Sequence, residues 1–316
     1  MRSMRSIRIL FFGSFGQFSA HVLSILCDRF TVTGVVTVPP KPKGRHLTLS
    51  RSDVAVASKD RNIPVFELPS LDTIPQELPR PEFLVVAGYG KRIPAGWLSF
   101  PTVMPVNMHP SLLPHLRGAF PAEWAILRGD ASTGVTLVKM SEAFDAGDIL
   151  AQREYPIASD DTRESLYRAL YDLGAQLLVG MLPKIAKGDI SMKPQPSGDF
   201  VYARRLTRED GFVPWELIEA AIEGGDIPVV KRPAFFHSII GHWPLIIERA
   251  SRALFGWPGV WTDVNIKYQK LNIKDKKKRL KIIRTHVDDV KLVLDTVQLE
   301  GKKPVAYAEI SSTIVT

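Results

Sequence analysis

The sequence predicts an α/β fold: a Rossmann-like, doubly wound and mostly parallel sheet, followed by a smaller β-barrel domain of the OB-like type. Three observations lead to this prediction. The length of 316 residues suits two domains. The first 190 residues alternate strand-like and helix-like runs, which is the rhythm of a parallel sheet with crossover helices. Beyond residue 206, strand-like runs follow one another with turns and no helix between them, which is typical of a small antiparallel barrel.

Five nearly continuous apolar runs predict strands that are buried on both faces of the sheet. They are 7–13, 31–37, 83–89, 103–109 and 134–140. Helical spacing lies between them in 17–29, 49–61 and 119–130, and a long amphipathic pattern over 162–188 ends at a glycine. Because ligands bind beyond the carboxyl ends of the strands in such sheets, we expect the chemistry to follow 83–89, 103–109 and 134–140.

The polar, proline-rich stretch after the long helix predicts a linker over residues 190–205. The predicted domains are therefore 1–189, which would carry the chemistry, and 206–316, the barrel. Strand-like runs over 259–273, 278–287 and 291–300 would build that barrel.

The composition is that of a soluble globular protein, with 45% hydrophobic and 23% charged residues. No apolar run approaches the roughly 20 residues that cross a bilayer. The basic, then apolar, opening of the chain is interpreted as a first strand and not as a targeting leader. A single cysteine, Cys27, excludes an internal disulfide framework and a cysteine-based zinc site, and its apolar-periodic surroundings predict a core thiol. We expect a cytoplasmic monomer.

The formal net charge of +8 predicts an anionic partner without identifying it. The densest basic cluster is the run from Lys274 to Lys281. A solvated hairpin and a contact with a nucleic-acid backbone fit this run equally well. The candidate contacts are Lys276, Lys277, Lys278 and Arg279.

Polar side chains with catalytic chemistry end the run 103–109. Asn107 and His109 have matching parity, so both point the same way from an extended strand. Two prolines follow and predict an irregular loop that could wall a pocket. Asp145 lies in a turn further on. An amide N–H can donate to an oxyanion, an imidazole can move a proton, and a carboxylate can act as base or orient the imidazole, all without a metal. By spacing alone, turn capping explains these residues as well.

The stretches "NMHPSLLPHLRG" and "TGVTLVKMSEAFDAGDIL" resemble the signature of the folate-dependent formyltransferase superfamily. The resemblance implies that Asn107, His109 and Asp145 form the catalytic trio. It also implies that the donor is 10-formyltetrahydrofolate and that no metal is needed. The folate would lie against two groups of residues: Gly88, Tyr89, Arg92 and Ile93, and then Ser111, Leu112, Leu113 and Pro114.

The basic Pro/Gly-rich stretch 35–49 is similar to a loop of the methionyl-tRNA formyltransferases, and 200–215 and 292–305 resemble their C-terminal domain. Composition alone also permits a flexible surface loop at 35–49. The resemblance implies that Arg45 contacts the acceptor end of the initiator tRNA, with Lys41 and Lys43 at phosphates. It implies formyl transfer to the α-amine of methionyl initiator tRNA, for translation initiation.

Other functions remain open at this point. A formyltransferase that acts on glycinamide ribonucleotide, on an amino-sugar nucleotide or on another small amine would share the motif. A formyltetrahydrofolate hydrolase would share the trio but need no amine acceptor, and a non-enzymatic RNA-binding protein could retain the fold. The first turn "FGSFGQFS", Pro214 before Trp215, and a long segment over 224–250 depart from the family pattern.

Overall fold

The structure is a computed structural model that describes residues 3–43, 47–198, 200–267 and 276–315. The strands are β1 (Arg8–Phe12), β2 (Thr31–Thr37), β3 (Lys41–Lys43), β4 (Thr48–Ser50), β5 (Val65–Glu67), β6 (Phe83–Val86), β7 (Met104–His109), β8 (Arg117–Gly118), β9 (Ser132–Lys139), β10 (Ile149–Pro156), β11 (Tyr202–Ala203), β12 (Val260–Ile266), β13 (Lys276–Asp288), β14 (Lys291–Leu299), β15 (Val305–Ala306) and β16 (Ile314–Val315). The helices are α1 (Gly16–Arg29), α2 (Asp53–Lys59), α3 (Ala95–Leu98), α4 (Pro121–Arg128), α5 (Arg163–Ala186), α6 (Trp215–Ile222) and α7 (Trp243–Ala253).

The chain divides into two compact units. Unit 1 comprises Met1–Pro121, Ser132–Pro156 and Tyr167–Ala203, and unit 2 comprises Ala122–Ala131, Ile157–Leu166 and Arg204–Thr316. The end of unit 1 thus falls within the predicted linker, while two earlier segments group with the second unit. The domain boundaries drawn from the sequence stay a prediction.

Unit 1 is built on a seven-stranded sheet in the order β10-β9-β7-β6-β1-β2-β5. The pairs from β7 to β5 are parallel, whereas β9 runs antiparallel to both β7 and β10. The central strands β1 and β6 are almost wholly buried because their residues are apolar on both faces. The chain moves from β1 outward to β5 and then returns to the other side of β1 at β6. Crevices for ligands form at such a switch in strand order.

Packing on one face of the sheet fixes the orientation of β7. Met108 lies between Asn107 and His109 and is buried. Because alternate residues of a strand point to opposite faces, its side chain faces away from those of its two neighbours. It packs so closely against Gly174 of α5 that any side chain at Gly174 would collide with the Met108 sulfur. Asn107 and His109 consequently point to the other face. Strand β7 is held by a helix on one side and offers polar groups on the other.

Unit 2 contains a five-stranded antiparallel sheet in the order β15-β14-β13-β12-β16. Helix α7 packs its apolar face on this unit, with Trp243, Ile246, Ile247 and Ala250 all buried. Their spacing of three and four residues is that of an amphipathic helix. The indole N–H of Trp243 donates to the carbonyl of Leu217 in the first turn of a second helix, α6.

The fold class predicted from the sequence is confirmed: a Rossmann-like, mostly parallel sheet is followed by a smaller antiparallel unit. Helices α6 and α7 were not predicted from the sequence, although the buried residues of α7 have helical spacing. No helix in the described ranges is long and apolar enough to span a bilayer. Cys27 is partly buried, and burial raises the pKa of its thiol to about 11. A thiol that stays protonated at neutral pH is a poor nucleophile.

Candidate active site

Three polar side chains meet at the end of β7. The amide Nδ2 of Asn107 donates to Oδ1 of Asp145 over 3.3 Å, and Nδ1 of His109 lies 3.6 Å from Oδ2 of the same carboxylate. The backbone N–H of Gly118 donates to that Oδ2 over 3.1 Å. The side chains of His109 and Asp145 are only 5% and 6% exposed, so the pair is shielded from bulk water. Asp145 is therefore the centre of the network, with one partner on each of three sides.

The imidazole of His109 is held at both nitrogens. Its Nε2 lies 3.0 Å from the carbonyl oxygen of Leu116, a distance that fits an Nε2–H donor. With that proton in place, Nδ1 faces Asp145 either with a lone pair or with the second proton of an imidazolium. The ring is thus oriented so that a proton gained at Nδ1 lies toward a carboxylate.

The backbone brings Asp145 to this point through an unusual turn. Strand β9 runs antiparallel to β7, and Asn107 pairs with Val138 near the end of β9. Asp145 adopts a left-handed φ of 52°, which asparagine and aspartate tolerate better than most residues. At Gly147 a Cβ would overlap the carbonyl oxygen of Lys139, so the turn accepts only glycine there. The two residues together aim the carboxylate back at Asn107.

The loop after His109 is tied down by internal hydrogen bonds. The Ser111 hydroxyl is fully buried and donates to the His115 carbonyl over 2.7 Å. The Leu113 N–H donates to the Thr136 hydroxyl, and the Leu113 carbonyl accepts from Gln152. The loop therefore supports the backbone that holds His109. Of the predicted folate contacts, Ser111, Leu112, Leu113 and Pro114 lie outside the residues that line the adjacent cavity.

A cavity opens beside the trio. Its lining residues are Val86, Tyr89, Lys91, Arg92, Ile93, Asn107, Val138, Lys139, Met140, Ser141, Glu142, Ala143, Phe144, Asp145, Ala146 and Gly147. Three predicted folate contacts, Tyr89, Arg92 and Ile93, are among them. Gly88 is not: it adopts a φ of 70° under the cavity, where a Cβ would lie 2.5 Å from the Tyr171 hydroxyl. The cavity wall thus combines apolar surface with Asn107 and Asp145.

Tyr89 carries a polar group that the protein itself does not pair. Its hydroxyl is buried and has no hydrogen-bond partner among the described residues. Burial raises the pKa of this phenol, so the hydroxyl stays protonated at neutral pH. A buried polar group without a partner is costly unless a ligand or water satisfies it. A ligand with a hydrogen-bonding edge, or a water molecule, would satisfy the Tyr89 hydroxyl.

The predicted cationic contacts fall into two regions. Lys41 is exposed on a short hairpin of β3 and β4, while Arg45 lies outside the described residues. The strand backbone includes Lys43 and Lys276, but the description does not extend to their side chains.

Of the remaining cations on β13, Lys277 is exposed, whereas Lys278 shares the parity of the buried Leu280. We call Lys277, Arg279 and Lys281 the cationic face, because their shared parity places them on one side of β13. The Arg279 guanidinium covers the ring of Trp261, with 4.2 Å from its Cζ to the ring centroid, and Lys277 lies 3.4 Å from Asp263. The basic run thus divides between two faces of the sheet.

Sequence reasoning did not find two kinds of residue at this site. The first is the loop after β9, with Met140 and Phe144 on the cavity wall. Its position after a predicted strand was a usable signal. The second is a pair of supports, Arg117 and Gln195, whose side chains hydrogen-bond to each other beside the Asp145 turn. No local pattern marks Gln195, because its role depends on contacts distant in sequence.

Groups of three or more His, Cys, Asp or Glu side chains suited to a metal ion do not occur in the described part of the chain.

The fold and the site define the class of the protein. A family model described as formyl transferase matches residues 6–182, more than half of the 316 residues. A solved N-formyltransferase from Helicobacter canadensis, in complex with folinic acid and dTDP-3-aminofucose, superposes with a TM-score of 0.58. The match covers 98% of this chain and 100% of that one at 16% identity, which shows a shared fold alone.

More similar sequences narrow the class. The methionyl-tRNA formyltransferase of Marinobacter nauticus is 35% identical over 263 residues, which cover 82% of this chain and 76% of the relative. That of Myxococcus xanthus is 35% identical over 269 residues, 84% and 78% of the two chains. The chain therefore belongs to the methionyl-tRNA formyltransferase family. The family and the enzyme class predicted from the sequence are confirmed.

Proposed function

We propose that the protein transfers a formyl group from 10-formyltetrahydrofolate to the α-amine of methionine esterified to initiator tRNA. The observation that carries the proposal is the network of Asn107, His109 and Asp145 beside the cavity. Asn107 and Asp145 line the cavity, and His109, which is not among its lining residues, contacts the other oxygen of the Asp145 carboxylate. An N–H donor and a carboxylate backed by an imidazole are the groups that acyl transfer to an amine requires. Membership of the family supplies the substrate class.

The cavity suits a donor of the folate type. Val86, Ile93 and Val138 provide an apolar wall on which a flat ring can pack. The unpaired Tyr89 hydroxyl would bond to a polar edge of that ring. When bound, the donor supplies a formyl carbon attached to nitrogen. The residues of the cavity would hold that carbon within reach of Asn107 and Asp145.

Asn107 would stabilise the charge that develops during attack. As the amine nitrogen forms a bond to the formyl carbon, the carbonyl electron pair moves onto oxygen. One Nδ2–H of Asn107 is already donated to Asp145, and the second is available for this oxyanion. A donor of this kind is typically worth about 10²–10³ in rate.

Asp145 and His109 would manage the protons. The attacking amine loses a proton when it becomes an amide nitrogen, and the donor nitrogen gains one as its bond to the formyl carbon breaks. Asp145 would receive the amine proton and share it with Nδ1 of His109, 3.6 Å from its Oδ2. As the oxyanion reforms the carbonyl and the bond to the donor nitrogen breaks, the same proton would pass to that nitrogen. The resulting imidazolium would also lower the energy of the nearby oxyanion. Atoms and charges balance without another reactant.

The tRNA would be bound through its phosphates. Lys41 on the β3–β4 hairpin and Lys277 and Lys281 of the cationic face are exposed cations that fit this purpose, whereas Arg279 is half-buried against Trp261. We propose Arg45, with Lys43, as the contact with the acceptor end. The family resemblance of the 35–49 stretch supports this assignment.

Product analysis tests the proposal. The protein is incubated with formyl-labelled 10-formyltetrahydrofolate and, in parallel, with methionyl initiator tRNA, with glycinamide ribonucleotide or with no acceptor. We expect label in acid-precipitable tRNA and little in the other two reactions. Label confined to the ribonucleotide, or released as formate at the same rate without an acceptor, would contradict it.

A further inference from the structure

We propose that Gln195 is a positioning residue for formyl transfer, acting through the turn that carries Asp145. The inference rests on the proposed function, since it concerns the rate of that reaction. Gln195 lies on the stretch that joins α5 to β11, which sequence analysis interpreted as a linker. Among the hydrogen bonds described, the Gln195 side chain reaches the trio through the backbone carbonyl of Asp145. Its role is to hold the backbone of the Asp145 turn.

The Gln195 side chain uses its whole hydrogen-bonding capacity at this turn. Nε2 donates to the carbonyl oxygens of Asp145 and Gly147, each over 2.8 Å. Oε1 accepts from Nε and Nη2 of Arg117 over 3.0 and 2.6 Å. An amide has two donors and two acceptor lone pairs, so all four are in use. A flipped amide would set its NH₂ against the guanidinium, so the orientation is determined by its partners.

These four hydrogen bonds connect the turn that carries Asp145 to Arg117 of strand β8. The Asp145 carbonyl belongs to the left-handed residue whose side chain is the centre of the network. Arg117 is followed by Gly118, whose N–H donates to Asp145 Oδ2. Gln195 thus links the backbone that presents the carboxylate to the strand that hydrogen-bonds to it. A change in the amide would shift the carboxylate relative to its own donor.

The rest of this stretch is anchored beside the same two loops. We call residues 193–198 and 200–203 the strap. At one end Lys193 exchanges two backbone hydrogen bonds with Ile149, directly after the Asp145 turn. At the other end β11 pairs with β8, and the Leu116 N–H donates to the Val201 carbonyl. Leu116 is the residue whose carbonyl faces His109 Nε2. The strap therefore supports both the Asp145 and the His109 sides of the trio.

The expected consequence is a loss of rate and not of binding. Displacement of a catalytic group by about 1 Å can cost on the order of 10²-fold in rate. Tyr89 and Ile93, which we assign to the donor, have no contact with Gln195 among the hydrogen bonds described. Loss of the amide should consequently lower kcat by about 10- to 100-fold while KM for both substrates changes little.

Three variants separate hydrogen bonding from simple packing. Gln195→Met keeps the length of the side chain but removes all four bonds. Gln195→Glu keeps the pairing with Arg117 but faces two carbonyl oxygens with a carboxylate. Gln176→Ala is the matched control, because Gln176 is an exposed glutamine on α5 of the same unit. Each is assayed for formyl transfer to methionyl initiator tRNA, for binding of 5-formyltetrahydrofolate and for thermal unfolding.

We expect Gln195→Met and Gln195→Glu to lose kcat while binding 5-formyltetrahydrofolate within about twofold of the unmutated protein. The loss in Gln195→Glu should shrink as pH falls, because a protonated carboxyl can donate to one carbonyl again. Full kcat in Gln195→Met, or equal losses of kcat and folate binding, would overturn the inference. If a Gln195 variant does not fold, Arg117→Met removes the other side of the clamp and is measured in the same way. Failure of the unmutated protein to formylate tRNA would instead overturn the proposed function.

Discussion

The trio and the cationic face present polar groups in opposite ways. At the trio, the side chains of His109 and Asp145 are 5% and 6% exposed, Asn107 is half-buried, and the neighbouring backbone of Gly118 is hydrogen-bonded to Asp145. On the cationic face Lys277 is 71% exposed and lies 3.4 Å from Asp263. A buried network fixes geometry, whereas exposed lysines on flexible stems supply charge that tolerates displacement. Substitutions should therefore act steeply at the first region and gradually at the second.

The largest effect is expected at the trio itself. Asn107→Ala removes the donor assigned to the oxyanion, and His109→Ala removes the proton partner of Asp145. Each should lower kcat by about 10²–10³. Single-turnover formylation measures the loss, and circular dichroism melting checks that the fold is retained. Near-normal turnover in either folded variant would contradict the expectation that substitutions at the trio have larger effects than those on the cationic face.

A second substitution tests whether the cavity is built for a ligand at the expense of stability. Tyr89→Phe removes a buried hydroxyl that has no hydrogen-bond partner among the described residues, so the unliganded protein should gain about 1 kcal/mol of stability. The same change should raise KM for the formyl donor about fivefold, because the ligand loses a hydrogen bond. Urea unfolding and initial rates measure the two effects. A variant that is both less stable and unchanged in KM would assign the hydroxyl a structural role.

In unit 2, Arg204 and Asp210 form a well-partnered polar pair, which should behave like a milder version of the trio. Arg204 donates to both oxygens of Asp210, over 2.8 and 2.7 Å, and the Thr207 N–H donates to one of them. Burial alone would raise the pKa of Asp210, but these hydrogen bonds lower it overall. Because Arg204 is 43% exposed, we expect Asp210→Asn to cost only about 1 kcal/mol.

The pH dependence of that pair has a definite sign. A carboxyl whose pKa is lowered by folding contributes stability above its ordinary value of 3.8, and the contribution is lost as pH falls through the folded value. Urea unfolding at pH 7 and below pH 3.8 should therefore show a difference between Asp210→Asn and the unmutated protein that narrows in acid. A difference that widens in acid would contradict the assignment.

The smallest effect is expected on the cationic face. Lys281→Ala should weaken binding of initiator tRNA about threefold at low salt and reduce the slope against salt by about one. Lys278→Ala is its control, since Lys278 lies on the opposite face of β13. Filter binding across a salt series distinguishes them. Equal effects of the two changes would show that total charge matters and that the face does not.

The same contrast explains what could be predicted from the sequence. Continuous apolar runs located five of the seven strands of the unit 1 sheet but not β5 or β10, which are not continuously apolar and buried. Strand parity put Asn107 and His109 on one side of β7. The turn at Asp145 was predicted, but its left-handed φ and the clamp at Gln195 were not. The clamp depends on contacts of Gln195 with residues 50 and 78 positions away in the sequence. Strand parity also places Lys277 and Lys278 on opposite faces of β13, a difference that the net charge does not show. The antiparallel course of β9 was missed because buried strands read alike in either direction.

The contact between Met108 and Gly174 connects the packing of α5 to the strand that carries two residues of the trio. Met108 sits between the two chemical residues of its strand, and a Cβ at position 174 would lie 2.3 Å from its sulfur. A methyl group there must first displace the flexible Met108 side chain, and activity should fall to the extent that the displacement reaches the backbone of β7. At this crossing of α5 and β7, the packing of the core and the placement of Asn107 and His109 therefore depend on the same side chain, Met108.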